Sequence, residues 1–244
     1  MEQRDPGAIA PRAVILAAGR GSRLGDRTNG TPKPLVQLNG RPIVSYTLEA
    51  LASAGVGDVV VVTGYEEAAV RSALLASRPD GMQMSFVHNA RYREGASLSL
   101  RAARRATTGE PFLLLMCDHV VSAAFLAQFL LGCPEDVSAV AADFERRDPA
   151  YVAEATHLAL DGRGRVTAIG KGIEPFAALD AGVFLLRESA WGAVEAAPED
   201  TDLSTIFTLL AKGEGLHPVD ISGQFWYDVD TEDDLVAAEL LLNG

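Results

Sequence analysis

The first half of the chain alternates short apolar runs with segments of helical periodicity. The apolar runs lie in AVILAAG, DVVVVTGY, MQMSFVH and PFLLLMCD. Between them, RPIVSYTLEALASAGV, EEAAVRSALLAS and SLSLRAARRAT place apolar residues about every 3.6 positions, as amphipathic helices do. Strands that alternate with helices of this length predict a parallel sheet with helices on its faces. We therefore predict an α/β fold.

The second half has a different pattern. The strand candidates DVSAVAADFE, ATHLALD, RVTAIGK and DAGVFLL are joined by short turns, and helical patterns return in DLSTIFTLLAKG and TEDDLVAAELLL. Thr231 and Asp234 are spaced as in a capping box at the start of the last helix, with Asp in place of Glu or Gln. Because no internal repeat or low-complexity linker divides the chain, we predict a single domain over residues 13–244, preceded by a flexible tail at residues 1–12.

Composition limits the class of protein. Of the 244 residues, 48% are hydrophobic and 22% are charged, as in ordinary soluble globular proteins. The net charge of −12 disfavours nucleic acid as a partner, and the apolar runs are too short for membrane insertion. The first residues lack a signal peptide's apolar region, and Cys117 and Cys133 form neither a disulfide framework nor a zinc pattern, so we expect a cytoplasmic protein. The oligomeric state stays open, with a homodimer as one alternative.

Polar and glycine-containing segments follow each of the first four predicted strands. They begin at Gly19, at Thr63, at Asn89 and at Asp118. In an open α/β sheet, ligands bind beyond the carboxyl ends of the strands. The sequence therefore predicts that these four segments converge in space, although they are distant along the chain.

The glycine-rich loop after the first strand departs from two common phosphate-binding loops. Gly19, Gly21 and Gly25 are spaced one residue too widely for the dinucleotide fingerprint G-x-G-x-x-G, and no acidic residue ends the second strand. The stretch GRGSRLGDRT also lacks the Gly-Lys-Ser/Thr of a P-loop. A tight turn without a ligand is the remaining simple alternative.

The cations around this loop favour a phosphate site over a plain turn. A Gly-x-Gly loop lets backbone N–H groups approach a phosphate closely. Arg23 adds a forked donor and Lys33 a point charge, and Arg20 lies beside them. Because Pro32 and Pro34 flank Lys33 and restrict the backbone, we predict that its ammonium group is held in place.

The stretch LAAGRGSRLGDRTNGTPKPL resembles the motif L-x-A-G-x-G-x-R-(L/M)…K-P-(L/M) of the nucleotidyltransferases that join sugar, alditol or choline phosphates to a nucleotide. The resemblance covers residues 13 to 244. It implies a three-layer α/β/α architecture around a mostly parallel mixed sheet, the Rossmann-like nucleotide-diphospho-sugar transferase fold. The residues that it places at the nucleotide are Leu16, Ala17, Ala18, Gly19, Gly21, Ser22, Gly95 and Ser97. For Ser97, a helix N-cap is a second interpretation.

Two aspartates complete the motif set. Asp118 directly follows the apolar run LLLMC, and Asp228 lies in FWYDVDTEDDL. Taken alone, Asp118 is as consistent with a turn or helix N-cap residue as with a metal ligand. The resemblance implies that both bind Mg²⁺, an ion that takes few protein carboxylates and keeps waters. Asp230, just before the helix start at Thr231, is interpreted as a turn or cap residue.

The segments CDHVVSAAFL, AEATHLALDGRGRVTAIGKGI, LDAGVFLL and FWYDVDTEDDL together resemble the CTP:inositol-1-phosphate cytidylyltransferases. The chain departs from that pattern at Cys117 for a Gly, at Val121 for a Tyr, at Ala181 for a Thr, and at Glu94 before Gly95, where the pattern has Asn-Gly. By position, the resemblance implies catalytic roles for Arg23, Lys33 and Lys171, and acceptor-binding roles for His119, Glu154, Lys171 and Asp180. A backbone carbonyl is the alternative partner for His119.

The function that this resemblance implies is Mg²⁺-dependent transfer of a cytidylyl group from CTP to an alcohol phosphate, with release of pyrophosphate. Inositol 1-phosphate is the first acceptor candidate. The alternatives are phosphocholine, a phosphonate or a sugar 1-phosphate with CTP or another nucleoside triphosphate. A non-catalytic nucleotide-binding regulatory subunit is an alternative of a different class. In each case the partners are small molecules.

Overall fold

The protein is described by a computed structural model at residues 11–21, 24, 30–107, 109–145 and 148–243. Its strands are β1 (Arg12–Ala17), β2 (Gln37–Leu38), β3 (Arg41–Pro42), β4 (Asp58–Thr63), β5 (Gln83–His88), β6 (Phe112–Met116), β7 (His119–Val121), β8 (Ser138–Asp143), β9 (His157–Leu160), β10 (Val166–Gly170), β11 (Ala178–Leu186), β12 (Leu216–Asp220) and β13 (Trp226–Asp228). Its α-helices are α1 (Ile43–Ser53), α2 (Glu67–Ala76), α3 (Ala96–Ala102), α4 (Ala123–Gly132), α5 (Pro149–Glu154), α6 (Ala190–Ala196), α7 (Leu203–Lys212) and α8 (Glu232–Asn243).

The central sheet has two differently built halves. Strands β5, β4, β1 and β6 are neighbours and run parallel. The long strand β11 then pairs antiparallel with β6 and also with β8 and β9, while β10 continues antiparallel from β9 and β12 pairs parallel with β8. The parallel half comes from the alternating first half of the sequence, and the mixed half comes from the strand-rich second half.

Apolar clusters cover both faces of this sheet. Along β1, Ala13 and Ile15 point into one cluster with residues of α1, α2 and α4, whereas Val14 and Leu16 point into the other with residues of α3, α6 and α7. The alternation follows from the two-residue period of a strand buried on both sides. The predicted three-layer α/β/α architecture is therefore confirmed.

Local capping explains where several helices begin. Ser122 accepts a hydrogen bond from the backbone of Phe125 at the start of α4. At the start of α8, Thr231 Oγ1 accepts from the Asp234 N–H at 3.2 Å, and Asp234 Oδ2 accepts from the Thr231 N–H at 2.8 Å. This confirms the predicted capping box.

A short antiparallel ribbon of β7 and β13 was not predicted from the sequence. Its register pairs His119 with Asp228 and Val121 with Trp226. Strands of three residues are too short to show a periodic pattern. The ribbon matters for function because it joins two segments about half the chain apart. No described helix combines the length and apolarity needed to cross a membrane.

Candidate active site

The four segments that follow the first four long strands do converge. At the carboxyl edge of the parallel strands, the Tyr65 N–H donates to the Ala18 carbonyl at 3.0 Å, and the Asn89 N–H donates to the Thr63 carbonyl at 2.8 Å. The Cys117 N–H donates to the Leu16 carbonyl at 3.2 Å. These bonds continue the parallel ladders beyond the strands, so the prediction of a shared edge is confirmed.

Gly21 of the glycine-rich loop packs directly on Lys33. Gly21 has a φ of +76°, and a Cβ there would lie 2.8 Å from the Cβ of Lys33. Only glycine can adopt this positive φ and approach Lys33 this closely without strain. Leu16, Ala17 and Ala18 are buried, while Gly19 and Arg20 are exposed beyond the strand end. The predicted nucleotide and catalytic residues Ser22 and Arg23 lie outside the described residues.

Lys33 is held between two carboxylates, as predicted for a lysine flanked by prolines. It is 8% exposed, and its Nζ lies 2.5 Å from Asp118 Oδ2 and 2.6 Å from Asp230 Oδ1. Burial by itself lowers the pKa of Lys33, but the negative charges of Asp118, Asp230 and Asp228 outweigh it and raise that pKa. Lys33 is therefore a fixed cation in the centre of the site.

Asp230 has a larger part than its interpretation as a turn or cap residue. Its backbone N–H does donate to Asp234 Oδ2 at 3.1 Å, which fixes the turn before α8. Its carboxylate, however, faces the site and pairs with Lys33. The turn interpretation was therefore incomplete, because position in the chain did not show that a lysine from a distant segment would meet this side chain.

His119 is oriented by the carboxylates and not by a backbone carbonyl. Its Nδ1 lies 2.9 Å from Asp118 Oδ1 and 3.7 Å from Asp228 Oδ1, and its ring stacks on Trp226. Burial lowers the pKa of His119, but Asp228 and Asp118 raise it to about 9. The ring also leaves no room for a side chain at position 182, where a Cβ would overlap it. The backbone-carbonyl alternative is wrong, and the role in acceptor binding stays a prediction.

The carboxylates have the geometry and chemistry to take a divalent cation. In the described part of the chain, Asp118, His119 and Asp228 form the group of potential ligands whose atoms all lie within 4.8 Å of one another. Asp228 Oδ1 is buried and accepts no hydrogen bond. Burial, joined by repulsion from Asp118, raises the pKa of Asp228 to about 6. A bound cation would supply the missing partner, and two carboxylates suit Mg²⁺.

The loop predicted to contact the base has a structural hydrogen bond that the sequence did not indicate. Gly95, at a φ of +127°, is the N-cap residue of α3. Ser97 is fully buried, and its hydroxyl donates to the Glu199 carbonyl at 3.0 Å. The N-cap interpretation of Ser97 is therefore wrong. Contacts of Gly95 and Ser97 with a base stay predictions.

The four predicted acceptor residues line two separate cavities. An inner cavity of about 150 Å³ is lined by His119 and Asp180. An outer cavity of about 590 Å³ is lined by Glu154 and Lys171, both of which are exposed. Asp228 borders both cavities. Burial raises the pKa of Asp180 to about 6, although Oδ1 of Asp180 accepts a hydrogen bond from the Gly182 N–H at 2.8 Å.

Comparison with known protein families gives a match over most of the chain. The family model described as MobA-like NTP transferase domain matches residues 13–214. The Bifunctional IPC transferase and DIPP synthase of Rubrobacter xylanophilus is 34% identical, over 100% of this chain and 54% of that protein. The CMP-5'-(3-aminopropyl)phosphonate synthase of Streptomyces rubellomurinus is 36% identical, over 94% of this chain and 38% of that protein. The chain thus spans about half the length of such relatives, or less.

Solved structures share the fold. The inositol-1-phosphate CTP transferase from T. maritima superimposes with a TM-score of 0.81 at 22% identity, covering 96% of each chain. A putative glucose-1-phosphate thymidylyltransferase from Bacillus anthracis superimposes with a TM-score of 0.78 at 18% identity, covering 95% of each chain. At these identities the likeness concerns the fold, and it confirms the predicted nucleotide-diphospho-sugar transferase architecture.

Proposed function

The chain belongs to the family of MobA-like NTP transferase domains, and on this premise we propose that it transfers a cytidylyl group from CTP to an alcohol phosphate, with inositol 1-phosphate as the first candidate. The observation that carries this proposal is the partly buried cluster of Lys33, Asp118 and Asp228 at the carboxyl edge of the sheet. The relatives named above support CTP and inositol phosphate as the substrates.

In the proposed reaction an oxygen of the acceptor's phosphate attacks the α-phosphorus of CTP. The bond from the α-phosphorus to the bridging oxygen breaks, and pyrophosphate leaves with that electron pair. A phosphate monoester has its second pKa near 6, so it is largely a dianion at pH 7 and needs no general base. The main obstacle is bringing polyanions together, which positioned cations overcome.

Each cation of the site then has a separate task. Lys33 stabilises negative charge at the α-phosphate, because its ammonium is fixed and kept charged by the surrounding carboxylates. Arg23 and the amides of the glycine-rich loop hold the β and γ phosphates. Lys171, at the end of β10, binds the phosphate of the acceptor. Asp118 and Asp228 would hold Mg²⁺, which when bound polarises the α-phosphate and neutralises charge.

A phosphonate acceptor with an amino group is a second candidate. The relative from Streptomyces rubellomurinus is named for such a product. The outer cavity is also rich in acidic residues: its described lining includes Glu154, Asp233 and Asp148, with Lys171 as its one lysine. Carboxylates near a phosphate-binding lysine would complement a molecule with an anionic and a cationic end.

A matrix of nucleotides against acceptors tests the proposal. The purified chain with Mg²⁺ is offered each nucleoside triphosphate with inositol 1-phosphate, phosphocholine, 3-aminopropylphosphonate or a sugar 1-phosphate, and pyrophosphate release is measured. We expect CTP with inositol 1-phosphate to be fastest, with the CDP product identified by mass spectrometry. Omission of Mg²⁺ is the control. Nucleotide binding without pyrophosphate release from any pair would overturn the proposal and favour a regulatory subunit.

A further inference from the structure

The side chain of Tyr151, here called the wall, borders both cavities beside Asp228. The inner cavity and the outer cavity share Tyr151, Ala155 and Asp228 among their lining residues. Of these three, the tyrosine is by far the largest. The Asp228 backbone N–H donates to the Tyr151 hydroxyl at 3.5 Å, so the hydroxyl end of the ring lies at a residue that both cavities share.

The alternation of β13 explains why one ring can touch both cavities. Trp226 lines the inner cavity and Tyr227 lines the outer one, because successive side chains of a strand point to opposite sides. Tyr151 packs edge-on against Trp226, with ring centroids 6.0 Å apart, and at an angle against Tyr227, with centroids 5.1 Å apart. The Tyr151 ring therefore packs against one aromatic side chain from each cavity.

Hydrogen bonds hold the helix that carries Tyr151 near both of its ends. Asp148 Oδ1 accepts from the Ala150 N–H at 2.9 Å at the start of α5. Near its end, the buried ring of His157 places Nε2 2.8 Å from the Val152 carbonyl and Nδ1 3.1 Å from the Ile173 carbonyl. His157 thus ties α5 to the turn that follows Lys171. These contacts fix the position of the wall relative to both cavities.

We propose that Tyr151 is a specificity-determining residue for the acceptor. This inference rests on the proposed transferase function and adds a limit on substrate size to it. An acceptor whose phosphate lies near Asp228 has one of the two cavities for its organic part and cannot extend into the other, because the ring of Tyr151 separates them. The site therefore takes compact phosphorylated alcohols or phosphonates and rejects acceptors that need both volumes.

The test compares a compact and an extended acceptor in three proteins. Wild type, Tyr151→Ala and Tyr151→Phe are assayed with CTP and either inositol 1-phosphate or maltose 1-phosphate, a disaccharide phosphate. We expect Tyr151→Ala to raise the ratio of kcat/KM for the extended over the compact acceptor about tenfold or more, the scale of discrimination by pocket shape. Tyr151→Phe keeps the ring and should keep the ratio. The KM for CTP should change little in either variant.

If the ratio of kcat/KM for the extended over the compact acceptor is unchanged in a folded Tyr151→Ala protein, the inference is overturned. An equal rise of this ratio in Tyr151→Phe also overturns it. If the alanine variant does not fold, Tyr151→Leu replaces it under the same criteria. If wild type turns over no acceptor, the transferase proposal has failed by itself. The binding of inositol 1-phosphate and maltose 1-phosphate to wild type and Tyr151→Ala is then measured by calorimetry. Binding of maltose 1-phosphate to the variant alone supports the inference, and identical affinities of the two proteins for both phosphates overturn it.

Discussion

The two sides of the candidate site are built in different ways. On the proposed function, the nucleotide side lies at the carboxyl ends of β1, β4, β5 and β6, which are parallel neighbours in one half of the sheet. The acceptor side draws on β11, α5, α7, α8 and the β7–β13 ribbon, whose side chains line two cavities. The strands among these elements pair antiparallel with their neighbours near the site. One side is a continuous edge, and the other is assembled from separate pieces.

The lysines on the two sides show what this difference means. Lys33 is almost completely buried and paired with two aspartates, whereas Lys171 is exposed on a turn. A fixed cation suits a group common to every substrate, namely the nucleotide phosphates. On the proposed function, the exposed lysine contacts the phosphate of acceptors whose organic parts differ. Relatives named for different acceptors match nearly the whole chain, which is consistent with one fold carrying varied sites.

Loss of the central carboxylate should have the largest effect. On the proposed function, Asp118→Ala should cut pyrophosphate release by about 10³-fold or more, because it removes a metal ligand and a partner of Lys33 at once. The matched control is Asp58→Ala, which removes a half-exposed aspartate at the opposite end of β4 that pairs with Arg12. Near-normal turnover of a folded Asp118→Ala protein would show that Asp118 is not a metal ligand in the reaction. Thermal melts followed by circular dichroism would establish that the variant is folded.

The two lysines can be compared directly for stability and activity. Lys33→Met leaves Asp118 and Asp230 facing each other without their cation, so it should lower the free energy of unfolding by about 3 kcal/mol and kcat by about 10²-fold. Lys171→Met should change stability by less than about 0.5 kcal/mol.

On the acceptor side, Lys171→Met should raise the KM for the acceptor while the KM for CTP stays unchanged. Urea denaturation and steady-state kinetics provide both measurements. Equal loss of stability in the two lysine variants would contradict the distinction between a buried and an exposed cation.

A smaller, pH-dependent effect belongs to Asp180 in the inner cavity. Its pKa of about 6 lies above the ordinary value of 3.8, so the folded state holds the proton more tightly than the unfolded state. Ionised Asp180 therefore costs stability, progressively from pH 4 to pH 7. Asp180→Asn retains the oxygen that accepts from Gly182 and removes the charge. It should raise the free energy of unfolding by about 1 to 3 kcal/mol at pH 8 and by almost nothing at pH 4. A gain that does not vary with pH would show that the charge is not the cause.

The nucleotide side was the more predictable one. The alternating pattern of the first half predicted the parallel strands, and strand ends in such a sheet meet at one edge. The segments that begin at Gly19, Thr63, Asn89 and Asp118 meet there as expected. The acceptor side was less predictable. Glu154 and Asp180 were both predicted to bind the acceptor, but they line two different cavities. The sequence did not indicate this division, because the short helix α5 and the three-residue strand β13 show no periodic pattern.

The amino-acid sequence by itself determined the layers, the alternation of the first strands with helices, the lysine held between two prolines, and the two aspartates of the motifs. These properties depend on local periodicity, backbone restriction and residue type, all of which act over a few neighbouring residues. Only the tertiary structure decided that Asp230 would meet Lys33 from 197 residues away, that His119 would turn to the carboxylates and that Tyr151 would border both cavities. Such contacts arise from the packing of elements distant along the chain, and no local pattern specifies which side chains will face one another there.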